Sequence, residues 1–325
     1  MKFAVLGAGA IGGYVGAMLA RSGGEVTLIA RGEHLRAMRL GGVRIESPRG
    51  DFTSYVPATS DFDAIADADV VFVALKANSL PEVAGELSKV LRADALVIGA
   101  QNGIPWWYFQ SHGGPFEGRR LQSVDPEGEV GRAIPVANTV GCVVYCSTEL
   151  VAPGVIRHIE GNRFAIGTPG GEVSDRHRDV SAAFAAAGLK CPIVRNLREH
   201  IWLKLIGNAA FNPVTTITRT TMGELARSPS AIACVRAVME ECAAVARALE
   251  LELPVSIDQR IDGALAVGAH KTSMLLDWES GKPLELACMT GAIIEIAELV
   301  SVPVPTVRAV QTLTEAVAEL RPGSL

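Results

Sequence analysis

Near its start the chain reads Lys2-Phe3-Ala4-Val5-Leu6-Gly7-Ala8-Gly9-Ala10-Ile11-Gly12. A short apolar run breaks into GxGxxG and then into helix-forming sequence through about Ala20. Taken alone, this glycine spacing is a weak signal. Between a strand and a helix it is strong, because the glycines permit a tight turn and close approach of the backbone, and the N-terminus of the helix accepts a pyrophosphate. Gly7, Ala8, Gly9, Ala10, Ile11 and Gly12 are the expected loop for a dinucleotide.

Outward from this loop, strands and helices alternate. Val26-Thr27-Leu28-Ile29 reads as the next strand, and Val43-Arg44-Ile45 and Phe52-Thr53-Ser54-Tyr55-Val56 as a hairpin about the turn Ser47-Pro48-Arg49-Gly50. Asp69 to Leu75 is an apolar strand of the kind buried in parallel sheets, and a helix from Pro81 to Leu91 and a strand from Ala95 to Gly99 follow. This pattern predicts a doubly wound α/β sheet. Strands Thr139 to Cys146, Gly154 to Glu160 and Arg163 to Gly167 extend the same sheet, and Ser174 to Ala187 is a helix. Beyond Arg195 nearly everything reads helical, with Ala-rich segments 231–251 and 287–300 that suit a core better than an interface. The reading is an α/β domain over 1–195 and an all-helical domain over 196–325. The Gly- and charge-rich stretch Ser111 to Gly131 reads as a long surface loop.

The tip of the second strand should carry the ribose-reading residue. It carries Arg31, 19 residues after Gly12, with no carboxylate at the tip itself. A guanidinium there suits the 2′-phosphate of NADP(H); Glu33, two residues on, keeps NAD open. Lys76 follows one parallel strand and Asn102 the next, at the carboxyl ends where open sheets bind ligands. Lys76 can meet a phosphate or a substrate charge, and Asn102 the nicotinamide ribose or the substrate. Each is equally readable as a plain loop residue, Asn-Gly being a common turn.

Of 325 residues, 49% are hydrophobic and 20% charged, with a net charge of −5. No basic face for nucleic acid or an anionic membrane is expected, and no apolar run is long enough to span a bilayer. Six cysteines form no CxxC pair, and six histidines form no cluster of metal-ligand spacing. A reduced, cytoplasmic protein without a metal is expected.

In the helical half, Lys204, Asn208 and Asn212 stand four apart in Ile201-Trp202-Leu203-Lys204-Leu205-Ile206-Gly207-Asn208-Ala209-Ala210-Phe211-Asn212-Pro213. At about 100° per residue they share an arc of about 80° over about 12 Å of helix. The stripe is narrow and its flanks are strongly apolar, so it faces a polar ligand better than it faces water. Further on, Ser273 and Glu285 stand at helix starts. There a hydroxyl can be an N-cap and a carboxylate can serve the helix dipole, so a site role stays even with these readings.

Together these motifs resemble the ketopantoate reductase family (2-dehydropantoate 2-reductases), related in architecture to 6-phosphogluconate and other β-hydroxyacid dehydrogenases. The resemblance runs from Met1 to about Val302. It is carried by Gly7 to Gly12, Arg31, Leu75-Lys76, Gln101-Asn102-Gly103, Lys204-xxx-Asn208-xxx-Asn212-Pro213, and Ser273-Met274-xx-Asp277 with Glu285. It implies a Rossmann-like dinucleotide-binding domain followed by an all-α domain of the 6-phosphogluconate dehydrogenase C-terminal type. It also implies NADPH-dependent reduction of a small 2-oxo acid, 2-dehydropantoate, to the 2-hydroxy acid. Lys204 matches the family's general acid and Glu285 its active-site carboxylate. Ser273, Asn208, Asn212 and Asn102 match polar positions that hold the substrate, and Lys76 a lysine on the cofactor side. Pro213 is expected to end or kink the lysine helix. A homodimer stays open.

One stretch departs from the family's compact members: Ile104-Pro105-Trp106-Trp107-Tyr108-Phe109 and the loop after it are longer and more aromatic. These aromatics are either packed beneath a surface elaboration or form a wall favouring a bulkier 2-oxo acid, as in a D-2-hydroxyacid dehydrogenase. A non-catalytic NADP-binding regulator is the reading from another class. The cofactor expectation is tested by Arg31→Ala, which should weaken NADPH far more than NADH in a direct binding titration; equal losses would remove the phosphate-clamp role.

Overall fold

The computed structural model describes residues 1–266 and 268–321. Its contacts divide the chain into two compact units. The first comprises Met1–Gln101, Pro105–Arg120 and Glu127–Leu197; the second comprises Asn102–Ile104, Leu121–Pro126 and Arg198 onward.

The first unit opens with β1 (Lys2–Leu6), α1 (Ala10–Arg21), β2 (Glu25–Ile29) and α2 (Gly32–Gly41). The short strands β3 (Val43–Glu46), β4 (Phe52–Ser54) and β5 (Ala58–Thr59) come next, then β6 (Val70–Val73), α3 (Leu80–Val90) and β7 (Leu96–Gly99). It closes with α4 (Glu129–Ala133), β8 (Thr139–Ala152), β9 (Val155–Gly167) and α5 (Asp175–Ala186). The strands form one sheet in the order β4-β3-β9-β8-β7-β6-β1-β2-β5. Pairing is parallel from β8 through β7, β6, β1 and β2 to β5, and antiparallel in the β8–β9 and β3–β4 hairpins. Strand order reverses at β1, between β2 on one side and β6 on the other, which opens the crevice for a ligand at their carboxyl ends.

Side chains alternate across the strands as the period of two requires. One face carries Phe3, Val5, Leu28, Phe72, Ile98, Val140, Phe164 and Ile166, which pack with α1 and with Phe184 of α5 in one buried cluster. Phe184 lies 5.8–6.4 Å, ring to ring, from Phe3, Phe72 and Phe164. The segments predicted at 154–160 and 163–167 are a single strand, β9; its irregularity is Gly161, whose φ of +73° accompanies a register shift against β8. The expected hairpin strand 52–56 is shorter, ending at Ser54.

The aromatic stretch is resolved by packing. Trp107, Tyr108 and Phe109 are 0–2% exposed and Trp106 is also buried. Glycines in the sheet make room for them: a Cβ on Gly99 would meet the Trp106 ring at 2.9 Å, and one on Gly141 the Trp107 ring at 2.2 Å. These rings are core of the first unit. The stretch 111–131 is also less of a plain surface loop than its composition suggests. It contains a 3₁₀ turn at Gly114–Phe116 and the start of α4, and Leu121, Asp125 and Val130 are buried.

The second unit is helical: α6 (Leu197–Thr218), α7 (Met222–Leu225), α8 (Pro229–Ala248), α9 (Ile257–Leu265), α10 (Ser273–Glu279), α11 (Ala292–Leu299) and α12 (Pro305–Glu319). Val235, Val238, Met239, Cys242, Ile293, Ile296 and Val307 form core where α8 packs on α11 and α12. Two carboxylates tie segments together through backbone N–H groups. Glu241 accepts from Thr306 and Val307 at the start of α12, both at 2.9 Å. Glu295 accepts from Gln122 and Ser123 at 2.8 and 2.9 Å, fixing the 121–126 segment. No helix among the described residues is long and apolar enough to cross a membrane.

Trp107→Ala would empty a fully enclosed ring site and should cost about 3–5 kcal/mol of stability, read as a fall in the urea midpoint of the first unit's unfolding.

Candidate active site

The cofactor half is built on the first unit. Gly7 adopts φ +92°, and a Cβ there would come within 2.8 Å of the Leu75 backbone nitrogen. That close approach seats the end of β1 against the residue that precedes Lys76. A Cβ on Gly12 would lie 2.3 Å from the Gly7 carbonyl, so the loop can close into α1 only with glycine there. Gly9, by contrast, faces open space. The N–H groups of Gly7 and Ala8 are spent on the Ile29 carbonyl at 3.1 and 3.0 Å. The first N–H groups of α1 have no partner within the helix and form the anion-receiving end. A cavity of ≈ 440 Å³ opens beside the loop, lined by Gly7, Ala8, Gly9, Arg31, His34 and Phe62 among others. Arg31 stands at the N-cap position of α2 and is exposed, and its side chain makes no hydrogen bond or ion pair among the described residues. Glu33 is instead drawn to Arg36 at 2.9 Å. These residues fit a dinucleotide carrying an extra phosphate. Lys76 begins a short 3₁₀ turn at the end of β6 and is half-buried.

The acid half lies within the second unit. Lys204 on α6 is half-buried, and its Nζ donates to Asn102 Oδ1 at 2.8 Å. Asn102 is held by the turn that follows it. Gly103 has φ +82° and lies so close to Cys288 that a Cβ would meet the Cys288 carbonyl oxygen at 2.2 Å. Ile104 N–H donates to the same carbonyl at 2.7 Å. Cys288 sits in a π-turn, Ala287–Gly291, closed by Gly291 N–H to the Leu286 carbonyl at 3.0 Å. Such turns often mark functional sites. Glu285 therefore lies two residues ahead of a π-turn that runs on into α11, and not in the first turn of a regular helix. Burial and the neighbouring Glu285 carboxylate push the Cys288 thiol well up, so it stays protonated.

Asn208 is half-buried, and its side chain makes no hydrogen bond among the described residues. Asn212 is 5% exposed, and its amide reaches only the Met289 sulfur, at 4.0 Å, a weak acceptor. The helix does not end at Pro213 but runs to Thr218. Thr215 and Thr216 hydroxyls back-bond to the Phe211 and Asn212 carbonyls at 2.8 Å, just ahead of the proline. Thr215 also shares a hydrogen bond of 2.7 Å with Thr272. Thr272, not Ser273, caps α10, accepting from Leu275 N–H. The Ser273 hydroxyl is left exposed and unbonded among the described residues.

Models of two families of sequence match this chain: "Ketopantoate reductase PanE/ApbA" over residues 3–171 and "Ketopantoate reductase PanE/ApbA C terminal" over 196–318. A 2-dehydropantoate 2-reductase of Mesorhizobium japonicum is 40% identical, with 98% of each chain covered. The chain belongs to the ketopantoate reductase family. A crystal structure from Ralstonia solanacearum MolK2 is similar with a TM-score of 0.92 at 36% identity over 98% of both chains. A PanE/ApbA family ketopantoate reductase from Ralstonia eutropha JMP134 is similar with a TM-score of 0.85 at 32% identity over 99% of both. The Rossmann-like sheet and the helical second unit are thus the architecture of ketopantoate reductases.

The motif reading singled out Asn102 and Lys204, which the structure joins by a hydrogen bond, but not the Gly103–Cys288 contact that holds Asn102. Gly103 and Cys288 carry no charge and no motif on their own, and only their contact gives them a role. Gly103→Ala should displace the Asn102 side chain from Lys204 and cut turnover by about 10²-fold, with circular dichroism unchanged.

Proposed function

We propose that this chain reduces 2-dehydropantoate (ketopantoate) to pantoate with NADPH. What carries the reading is the Lys204–Asn102 hydrogen bond of 2.8 Å on a narrow polar stripe with apolar flanks, in a chain 40% identical to a 2-dehydropantoate 2-reductase. NADPH, when bound, supplies the hydride that adds to the carbonyl carbon of the 2-oxo acid. As that carbon is reduced its oxygen gains negative charge, and the Lys204 ammonium is the group that donates a proton to it and stabilises the developing charge. Asn102 contributes an acceptor that orients Nζ. Asn208 and Ser273, both with open polar groups, hold the substrate's carboxylate and hydroxyl. Asn212, being buried, is assigned to supporting the Met289 side of the site, and Glu285 to positioning substrate and lysine. Gly7 to Gly12, Arg31 and Lys76 receive the dinucleotide, Arg31 at its 2′-phosphate. A cytoplasmic location and a homodimer belong to this reading; sedimentation would show a doubled mass.

The buried packing of Trp106 and Trp107 withdraws the support that an aromatic wall gave to a bulkier 2-oxo acid. A regulator without chemistry would have no use for an ammonium held at an acceptor.

The test is a panel of 2-oxo acids, with NADPH consumption followed by absorbance. Ketopantoate should give the highest kcat/KM, ahead of 2-oxoisovalerate and phenylglyoxylate. Lys204→Ala should lower kcat by about 10²–10⁴-fold with little change in NADPH affinity. Faster turnover of another acid would sink the substrate assignment, and surviving turnover in the variant would sink the role of the lysine.

A further inference from the structure

His34 stands in the first turn of α2, in a segment that sequence motifs pass over, and touches two other parts of the first unit. Its Nε2 lies 2.7 Å from the Ala8 carbonyl oxygen in the glycine loop. Its Nδ1 lies 2.9 Å from the backbone nitrogen of Gly154. Gly154 is the turn between β8 and β9, with φ +77°, and a Cβ on it would come within 3.1 Å of Ala37 on α2. The hairpin tip thus butts against the helix, and the Gly154 carbonyl goes on to accept from Arg44 N–H at 2.9 Å.

A backbone N–H can only donate, so Nδ1 must be the bare nitrogen of a neutral ring, and the proton must sit on Nε2, where it is donated to Ala8. The Ala8 N–H, in the peptide before it, is held by the Ile29 carbonyl. Ala8 is therefore fixed through both of its flanking peptides: by the end of β2 on one side and, through the peptide that precedes Gly9, by a neutral imidazole anchored to a hairpin remote in sequence. Ala8 and His34 both line the ≈ 440 Å³ cavity beside the loop.

We infer that His34 is a positioning residue for the dinucleotide: its neutral, Nε2-protonated ring bolts the glycine loop to the β8–β9 hairpin, and a proton on Nδ1 undoes the bolt. The inference rests on the reading of the loop as an NADPH site. A second proton would set an N–H against the Gly154 N–H, and the clasp cannot be kept in that state. Burial also holds the ring's pKa below the ordinary 6.5. A group depressed in this way contributes stability that is full above its ordinary pKa and is lost as pH falls through the lower folded value. The charged groups around it are few. Arg31 opens α2, and Glu33 pairs with Arg36 on its surface. Glu82 and Glu86 of α3 line the cavity. The glycine loop and the hairpin tip, Val151 to Val155, bring no charge. Acid weakening of cofactor binding, beyond what the cofactor itself shows, is thus assigned to this ring.

The experiment is NADPH binding by fluorescence titration from pH 5 to 8, without substrate, for the wild type, His34→Ala and His34→Gln. At pH 7.5 His34→Ala should bind NADPH roughly ten-fold more weakly, the effect of about one lost hydrogen bond, with KM for NADPH rising more than kcat falls. His34→Gln, which restores a donor for Ala8, should recover most of that loss. As pH falls below the ring's ordinary 6.5 and on through its lowered folded value, the wild type should lose affinity relative to His34→Gln. The cofactor's 2′-phosphate titrates in the same range, but equally in both proteins, so it cancels in the ratio. Equal affinity of wild type and His34→Ala at pH 7.5, or a ratio to His34→Gln that does not move with pH, would overturn the inference and leave the NADPH site standing. A wild type that binds no NADPH would overturn both. The wild-type pH curve stands even if His34→Ala folds poorly.

Discussion

A half-buried ammonium on an apolar helix must find an acceptor, and the acid half of this site is arranged around that requirement. The acceptor is Asn102 Oδ1, and an asparagine can hold it only if its own backbone is fixed. That is done by a left-handed glycine, Gly103, pressed onto the Cys288 carbonyl, and by the Ile104 N–H bound to the same oxygen. The carbonyl is presented by a π-turn whose closing bond starts at Leu286, one residue after Glu285. A chain of backbone constraints therefore links the lysine to the carboxylate.

The cofactor half follows the same logic with the sign reversed. An anion is to be received, so N–H groups must be left over, and the loop spends some to save others. Gly7 and Ala8 give theirs to Ile29, and the start of α1 keeps its own. Loop shape then depends on close packing that only glycine allows at positions 7 and 12, and on the imidazole that grips the Ala8 carbonyl. Rigidity here lets a short run of peptide face a phosphate without rearranging.

Polar side chains on apolar elements were legible in the sequence because each is improbable without a partner. Lys204 and Asn208 stood out on this ground, and Arg31 by its place at a strand tip. Other positions were less legible because their meaning is steric. The aromatic run 106–109 reads equally well as wall or core until Gly99 and Gly141 are seen to make space for it. Ser273 reads equally well as cap or contact until Thr272 is seen to do the capping. Pro213 was expected to end or kink its helix; the helix in fact runs on to Thr218, since a proline removes only the one N–H donor due to the Ala209 carbonyl. His34 has no motif; its role exists only where a hairpin 120 residues away reaches it.

By itself the sequence determined the strand–glycine loop–helix opening, the alternation that makes a parallel sheet, the helical second half and the residue types of the site. These follow from local periodicity and from the rarity of certain residues in apolar surroundings, which are properties of short stretches. Tertiary structure alone decided which carbonyl clamps Gly103, which ring holds Ala8, and that two tryptophans are core. Those outcomes depend on which distant backbone atoms come within about 3 Å of one another, and no short stretch encodes that.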